Sequence, residues 1–383
     1  MDSKIILEYQ WPYLLSFLPS EEALDRTAKE TGALTRKRQV PSASVLLRLA
    51  LAYGFCGLTL RQTAAWAEVA GVASLSDVAL LKRLRASSDW LGLLLGLKLA
   101  EKAPPPPLKT TQTRIRLVDA TTINRPGSQG TDWRIHLGFD LATLRIDHVE
   151  LTDAKGGETL TRFPLRKDEV VVGDRGYAHR RGMQAVVNAG ADFLIRANWQ
   201  NVPLQQRSGQ AFDLLSALRG LPEAEAGDFP LCIVPSPAAG ISAIPVRLVA
   251  IRKSEAAASA ARKKVLEEHA RKGRNVDPRT LECAAYVFVL TSLPAERLGT
   301  NEALELYRFR WQIELVFKRM KSLLELGNLP AKDPPLARSF IYAKLLAALL
   351  LEELTEEFLS FSPWGCRLAP TPALALANSK SAS

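Results

Sequence analysis

The chain has 383 residues, enough for two or three domains with sizeable cores, and its 47% hydrophobic and 23% charged content is that of an ordinary globular protein. Its formal net charge of +10 points to an anionic partner, most often nucleic acid. Cys56, Cys232, Cys283 and Cys366 are far apart with no CxxC spacing, which argues against a disulfide framework or a zinc site and fits a reducing cytoplasm. No signal peptide is expected at MDSKIILEYQ, and the longest apolar runs, near 49–60 and 345–351, are too short to cross a bilayer.

Residues 1–100 read as mostly helical. PSASVLLRLALAYGF (41–55) is one helix opened by Pro and Ser. Residues 58–87 read as two helices broken at Gly71, with Ser76-Asp77 capping the second, which carries Lys82, Arg83 and Arg85. A helix–turn–helix with a basic second helix reads DNA in many proteins, and a small helical bundle has the same pattern. APPPP (103–107) reads as a rigid linker.

Beyond the linker the period changes. RIRLVDATTI (114–123) is strand-like, and 133–153 reads as a hairpin turning near Leu141-Ala142-Thr143. A helix-sized polar segment starts near Gly157. EVVVGDRGY (169–177) is a short apolar strand ending in a turn, 179–190 a helix stopped by Gly190, and 191–198 another strand. This order predicts an α/β domain with a mixed sheet. Residues 200–284 break the rhythm with short strands and the charged, Ala-rich stretch 254–279, whose basic cluster at 262–274 is a candidate DNA contact. A strand at 284–294, a helix from about 301 and a buried helix at 341–359 follow. The Pro/Ala/Ser-rich tail is expected to be disordered.

Three carboxylates stand out. Asp119 follows the apolar RIRLV, and Asp174 follows VVVG. Strand ends are where sites form in open α/β sheets, although an Asp there also caps turns. The third is Glu314, in YRFRWQIELVFKRMK (307–321). On a continuous helix, Tyr307, Arg310, Glu314 and Lys321 fall within an arc of roughly 60°, beside an apolar stripe of Phe309, Ile313, Val316 and Met320. Converging, Asp119, Asp174 and Glu314 would form a hard, oxygen-rich site for Mg²⁺ or Mn²⁺. Two such ions could serve the attacking and leaving oxygens of a phosphodiester. Arg310 and Lys321 can grip phosphate, and Tyr307 can donate to phosphate or stack on a sugar or base. Of Trp133, Arg134 and His136, close to the first Asp, the histidine reads as a packing residue; Arg180 and Arg181 read as solvated charge.

The pattern Y-x2-R-x3-E-x6-K, with an Asp ending the first strand in LVDATTI and a second in GDRGY, resembles the insertion sequence 4 (IS4) family of bacterial DDE transposases, to which the Tn5 and Tn10 enzymes are also similar. The resemblance covers about 110–330 well. It implies a ribonuclease-H-like mixed-sheet core interrupted by a mostly β insertion, behind an N-terminal helical domain. The expected division is 1–102 helical and DNA-binding, 109–200 first core part, 201–283 insertion, 284–360 second core part with the Glu helix, and 361–383 tail. It further implies two Mg²⁺ or Mn²⁺ ions at Asp119, Asp174 and Glu314, and terminal phosphates held by Tyr307, Arg310 and Lys321. Two protomers would pair double-stranded terminal inverted repeats in a synaptic complex, cleave them through hairpins and join them to target DNA, in the cytoplasm at the bacterial nucleoid. Where relatives place a Trp for a flipped base, Tyr286-Val287-Phe288 stands here, with Val287 at the aligned position. A transposon-derived repressor or inactive relic, and a metal-dependent nuclease without strand transfer, are the competing readings.

Overall fold

The computed structural model describes residues 7–102, 113–128, 130–141, 145–197, 199–223, 225–271, 273–310, 329–330 and 333–360. Two compact units divide the chain. One takes in the residues up to Glu101, Arg125–Gly127 and those from Met320 onward; the other takes in the rest.

The first unit is helical: α1 (Trp11–Ser16), α2 (Glu21–Glu30), α3 (Ala43–Gly54), α4 (Leu60–Val69), α5 (Asp77–Ala86), α6 (Ser88–Lys102) and α12 (Pro334–Ser360). Local chemistry sets their starts. Ser42, Thr59 and Ser76 each accept the backbone N–H three residues on, as N-caps do, and Gln62 completes a capping box with Thr59. Gly71 has φ +64°, the left-handed conformation that ends α4. α3 is buried almost all round. Gly54 makes this possible, since a Cβ there would come within 2.7 Å of Ala343 on α12. α12 is long and apolar enough to cross a membrane over Pro334–Leu354, but 67% of that window is buried, as in a core helix.

The second unit is one nine-stranded mixed sheet. Its strands are β1 (Arg114–Ile123), β2 (Trp133–Asp140), β3 (Arg145–Asp153), β4 (Glu169–Gly173), β5 (Asp192–Arg196), β6 (Leu204–Gln206), β7 (Ala226–Ile233), β8 (Ile244–Arg252) and β9 (Tyr286–Thr291). Their order is β3-β2-β1-β4-β5-β9-β8-β7-β6. β1, β4 and β5 are parallel neighbours; β2 runs antiparallel to β1 and β3. β4, in the parallel centre, is buried throughout, which is why EVVVG shows no polar alternation. Strands β6 to β8, from the stretch that breaks the rhythm, extend the same sheet through β9. That stretch also holds helices α8 (Leu214–Arg219), α9 (Glu255–Arg271) and α10 (Pro278–Cys283).

Helix α7 (Arg180–Asn188) crosses from β4 to β5, burying Gly182, Met183 and Val186, and Gly190 follows it at φ +71°. The polar segment near Gly157 departs from expectation. It makes only a 3-10 turn, Leu160–Arg162. Pro164 disfavours helical backbone at Phe163 and stops it.

Candidate active site

Register brings the two aspartates together. In the parallel β1–β4 pair, Val118 lies opposite Gly173, so Asp119 and Asp174, the next residue of each segment, come side by side. Asp174 follows the end of β4, but Asp119 does not end its strand as expected, because pairing with β2 carries β1 on to Ile123. Asp119 remains in the ladder, opposite Leu137 of β2. Asp174 leaves it: its Oδ1 accepts the Gly176 N–H at 2.8 Å and caps the 3-10 turn Arg175–Tyr177. It is therefore both a turn cap and a carboxylate at the strand edge.

Burial pushes the Asp119 carboxyl up to about 7, with the negative charges of Asp174 and Glu158 adding to the effect. The Ala120 N–H and the Arg310 guanidinium oppose it. Arg310 Nη1 stands 3.6 Å from Asp119 Oδ2, an ion pair too long to be a strong hydrogen bond.

Glu158 was not anticipated. It is half-buried in the loop after β3, and burial and Asp174 raise its pKa. A Cβ on Gly176 would come within 1.8 Å of Glu158 Oε2 and 3.0 Å of Asp174 Oδ1, so the two carboxylates meet over the bare Gly176. No sequence signal pointed to it, because the contact joins two loops.

Other polar groups converge on these acids. Tyr177 is fully buried and its hydroxyl has no hydrogen-bond partner among the described residues. Burial raises its pKa, and so do the charges of Asp119, Glu158 and Asp174, so the phenol stays protonated. Arg134 donates to the Gly156 carbonyl at 2.8 Å. His136 is buried against Thr152 at 3.0 Å, with its pKa lowered to about 4 by burial and by Arg162 and Arg134. It is neutral at neutral pH and packs in β2, as expected of a histidine in a strand.

Tyr307 lies on α11 (Thr300–Arg308), and Arg310 follows in the turn that ends it, where Phe309 and Arg310 donate to the Leu306 and Tyr307 carbonyls. The expectation of one helix with Phe309 on a buried stripe needs correction. α11 buries Ala303 and Tyr307, and Phe309 is 41% exposed because it sits on the turn after the helix. The Arg310 guanidinium lies 5.8 Å from the Tyr307 ring centroid. Burial raises the Tyr307 pKa, against the lowering effect of Arg310 and of Arg196, which ends β5. Asp119, Asp174, Tyr307 and Arg310 are thus in one neighbourhood. Glu314 and Lys321 lie outside the described residues, and among the described ones no three His, Cys, Asp or Glu side chains form an ion site by themselves.

The remaining candidates are less engaged. Tyr286 and Phe288 both belong to the core, so neither ring faces solvent. Arg180 donates to the Val234 carbonyl. On α5, Arg83 donates to the Arg36 carbonyl and Arg85 pairs with Asp333, so two of its three cations are held within the helical unit. α9 buries only Ala258.

Residues 110–350 match the family model described as a transposase DDE domain. The chain belongs to the IS4 family of DDE transposases. It is 41% identical over 355 residues to InsL of insertion sequence element IS186A from Escherichia coli strain K12, covering 92% of this chain and 96% of that one. To the transposase for insertion sequence element IS421 of Escherichia coli it is 41% identical over 356 residues, with the same coverage. This transposase also superposes on the cryo-EM structure of the piggyBac transposase synaptic complex with hairpin DNA, at TM-score 0.40 and 10% identity, covering 88% of this chain and 67% of that one. A likeness that low says nothing about hairpins here. The protein is the transposase of an insertion sequence, a DNA-acting enzyme of a divalent-metal-dependent class.

Proposed function

We propose that this transposase performs cut-and-paste transposition with Asp119, Asp174 and Glu314 holding two divalent ions, Mg²⁺ or Mn²⁺, where the middle of β1 meets the carboxyl end of β4. The observation that carries the reading is the parallel register that sets Asp119 beside Asp174. The donor set fits such ions: it is all carboxylate oxygen, and burial first, then the charges of Asp174 and Glu158, push the Asp119 carboxyl up to about 7. When bound, the ions would neutralise these acids and supply Lewis acidity to the attacking and leaving oxygens of a phosphodiester.

The chain's own groups orient the DNA. Arg310 can exchange its long contact with Asp119 for a bidentate grip on a phosphate. The buried Tyr307 hydroxyl, beside the Arg310 guanidinium, has a proton to donate to a phosphate. Lys321 adds a point charge. We assign as substrates double-stranded terminal inverted repeats and target DNA, with two protomers pairing the ends, hairpins formed during excision, and action in the cytoplasm on the nucleoid. The order β3-β2-β1-β4-β5, with β2 alone antiparallel, supports a ribonuclease-H-like core into which 201–283 is inserted, and 1–102 is assigned to end binding.

The test is Mg²⁺-dependent cleavage of DNA carrying the element's own end, wild type against Glu314→Ala, on a denaturing gel. Cleavage by wild type alone, with a hairpin band, is expected. Nicks or breaks without hairpins would keep the ion centre and remove the hairpin route. Wild-type cleavage by Glu314→Ala would overturn the assignment of that residue.

A further inference from the structure

We infer that Glu158 is a further carboxylate of the ion-binding pocket, taking a divalent cation together with Asp174. This rests on the reading of Asp119 and Asp174 as the ion centre and adds a residue to it.

Three observations lead there. First, Gly176 does not need to be glycine for its backbone, since its φ is not positive. It is bare because a carboxylate fills the space: Glu158 Oε2 lies 1.8 Å from where a Cβ would be, and Asp174 Oδ1 lies 3.0 Å from the same point. Two carboxylates are thus held against one small residue, with the Gly176 N–H already donated to Asp174. Like charges meeting this way, partly out of water, are unfavourable unless a cation joins them.

Second, the positive groups whose charge reaches Glu158 do not pair with it. They are Arg134, which donates to the Gly156 carbonyl, and the exposed His179. Arg162, close in sequence, pairs with Glu150 at 2.6 Å. No ion pair to Glu158 is formed among the described residues.

Third, the Tyr177 side chain is entirely buried, and its hydroxyl has no hydrogen-bond partner among the described residues while lying in the field of Asp119, Glu158 and Asp174 together. A buried hydroxyl without a partner is rare and calls for an oxygen that the described residues do not supply. A water or phosphate oxygen brought in with a cation at Glu158 and Asp174 would supply it. The paired carboxylates suit Mg²⁺ or Mn²⁺.

The experiment is calorimetric titration of the full chain with Mn²⁺ alone, without DNA, for wild type, Glu158→Gln and Asp119→Asn. Gln keeps the shape and the packing over Gly176 and removes the charge, so a merely structural role would leave binding unchanged. We expect Glu158→Gln to weaken Mn²⁺ at least tenfold or to remove one of two bound ions, with thermal unfolding in the absence of metal unchanged or shifted upward. Wild-type affinity and stoichiometry in Glu158→Gln, alongside loss in Asp119→Asn, would overturn the inference and leave the ion centre standing. Wild-type binding in both variants, or none in the wild type, would remove the ion centre and this inference with it. If Glu158→Gln unfolds at the assay temperature, Glu158→Asp, which withdraws the carboxylate by one methylene, is read by the same criteria.

Discussion

The start and the middle of β1 carry opposite treatments of buried charge. At its start, Arg114 and Arg116 face Asp140, Asp147 and Glu169. Arg114 pairs with Asp140 at 2.8 Å and with Asp147, and Arg116 pairs with Asp147 at 2.8 Å and Glu169 at 3.2 Å while donating to the Pro164 carbonyl. Every charge there has an opposite partner within reach. In its middle, Asp119 has Arg310 at 3.6 Å and the acids Asp174 and Glu158 close by. The first arrangement is a network of close pairs that holds β1 to its neighbours. In the second, among the described residues, Asp119 has no cation closer than 3.6 Å, the arrangement expected of the proposed ion centre. Burial of charge alone does not mark a functional site; a loosely paired buried acid is the better candidate.

That contrast can be broken in order of expected effect. Asp119→Ala or Asp174→Ala should lower cleavage of end DNA by about a thousandfold or more, a loss of roughly 4 kcal/mol of transition-state stabilisation, while gel-shift binding of the ends survives. Arg310→Ala is expected to retain nicking but weaken the paired-end complex. Arg116→Ala should do the reverse of the aspartate variants. It leaves Asp147 with Arg114 alone and the buried Glu169 with only Arg114 at 4.0 Å, and should destabilise the fold by about 3–5 kcal/mol in a urea titration.

The pH dependence sharpens the comparison further. The Asp119 carboxyl has a folded pKa of about 7 against an ordinary 3.8, so the folded state binds the proton more tightly. Its ionisation therefore costs nothing below about pH 4, costs progressively more as pH rises, and costs its full amount above about pH 7. Asp119→Asn, without divalent ions, should leave thermal stability unchanged at pH 4 and raise it at pH 8 by on the order of 2–4 kcal/mol. Equal effects at both pH values would place Asp119 in a balanced network after all. The smallest effect is expected in the helical unit. Arg85→Ala removes an exposed pair with Asp333 and should cost less than about 1 kcal/mol by chemical denaturation.

Much of this was legible before any coordinates. The caps at Ser42 and Ser76, the glycine stops at Gly71 and Gly190 and the strand EVVVG follow from side chains acting within a few residues. Asp174 follows its apolar strand as read, whereas Asp119 was read as a strand end and lies inside β1, since pairing with β2 continues to Ile123. Phe309 was misjudged because its phase assumed a helix that continues, and α11 ends one residue before it. The segment after Gly157 was misjudged because Pro164 outweighs the helical composition before it.

Residue order thus determined where elements start and stop and which chemical groups they carry, since those depend on spacing along the chain. Glu158 over Gly176, the Tyr177 hydroxyl among three acids, Arg310 on Asp119, and β9 seated between β5 and β8 came from pairing between distant segments. Such pairing depends on how strands register and which faces exclude water, and neither leaves a local mark in the sequence.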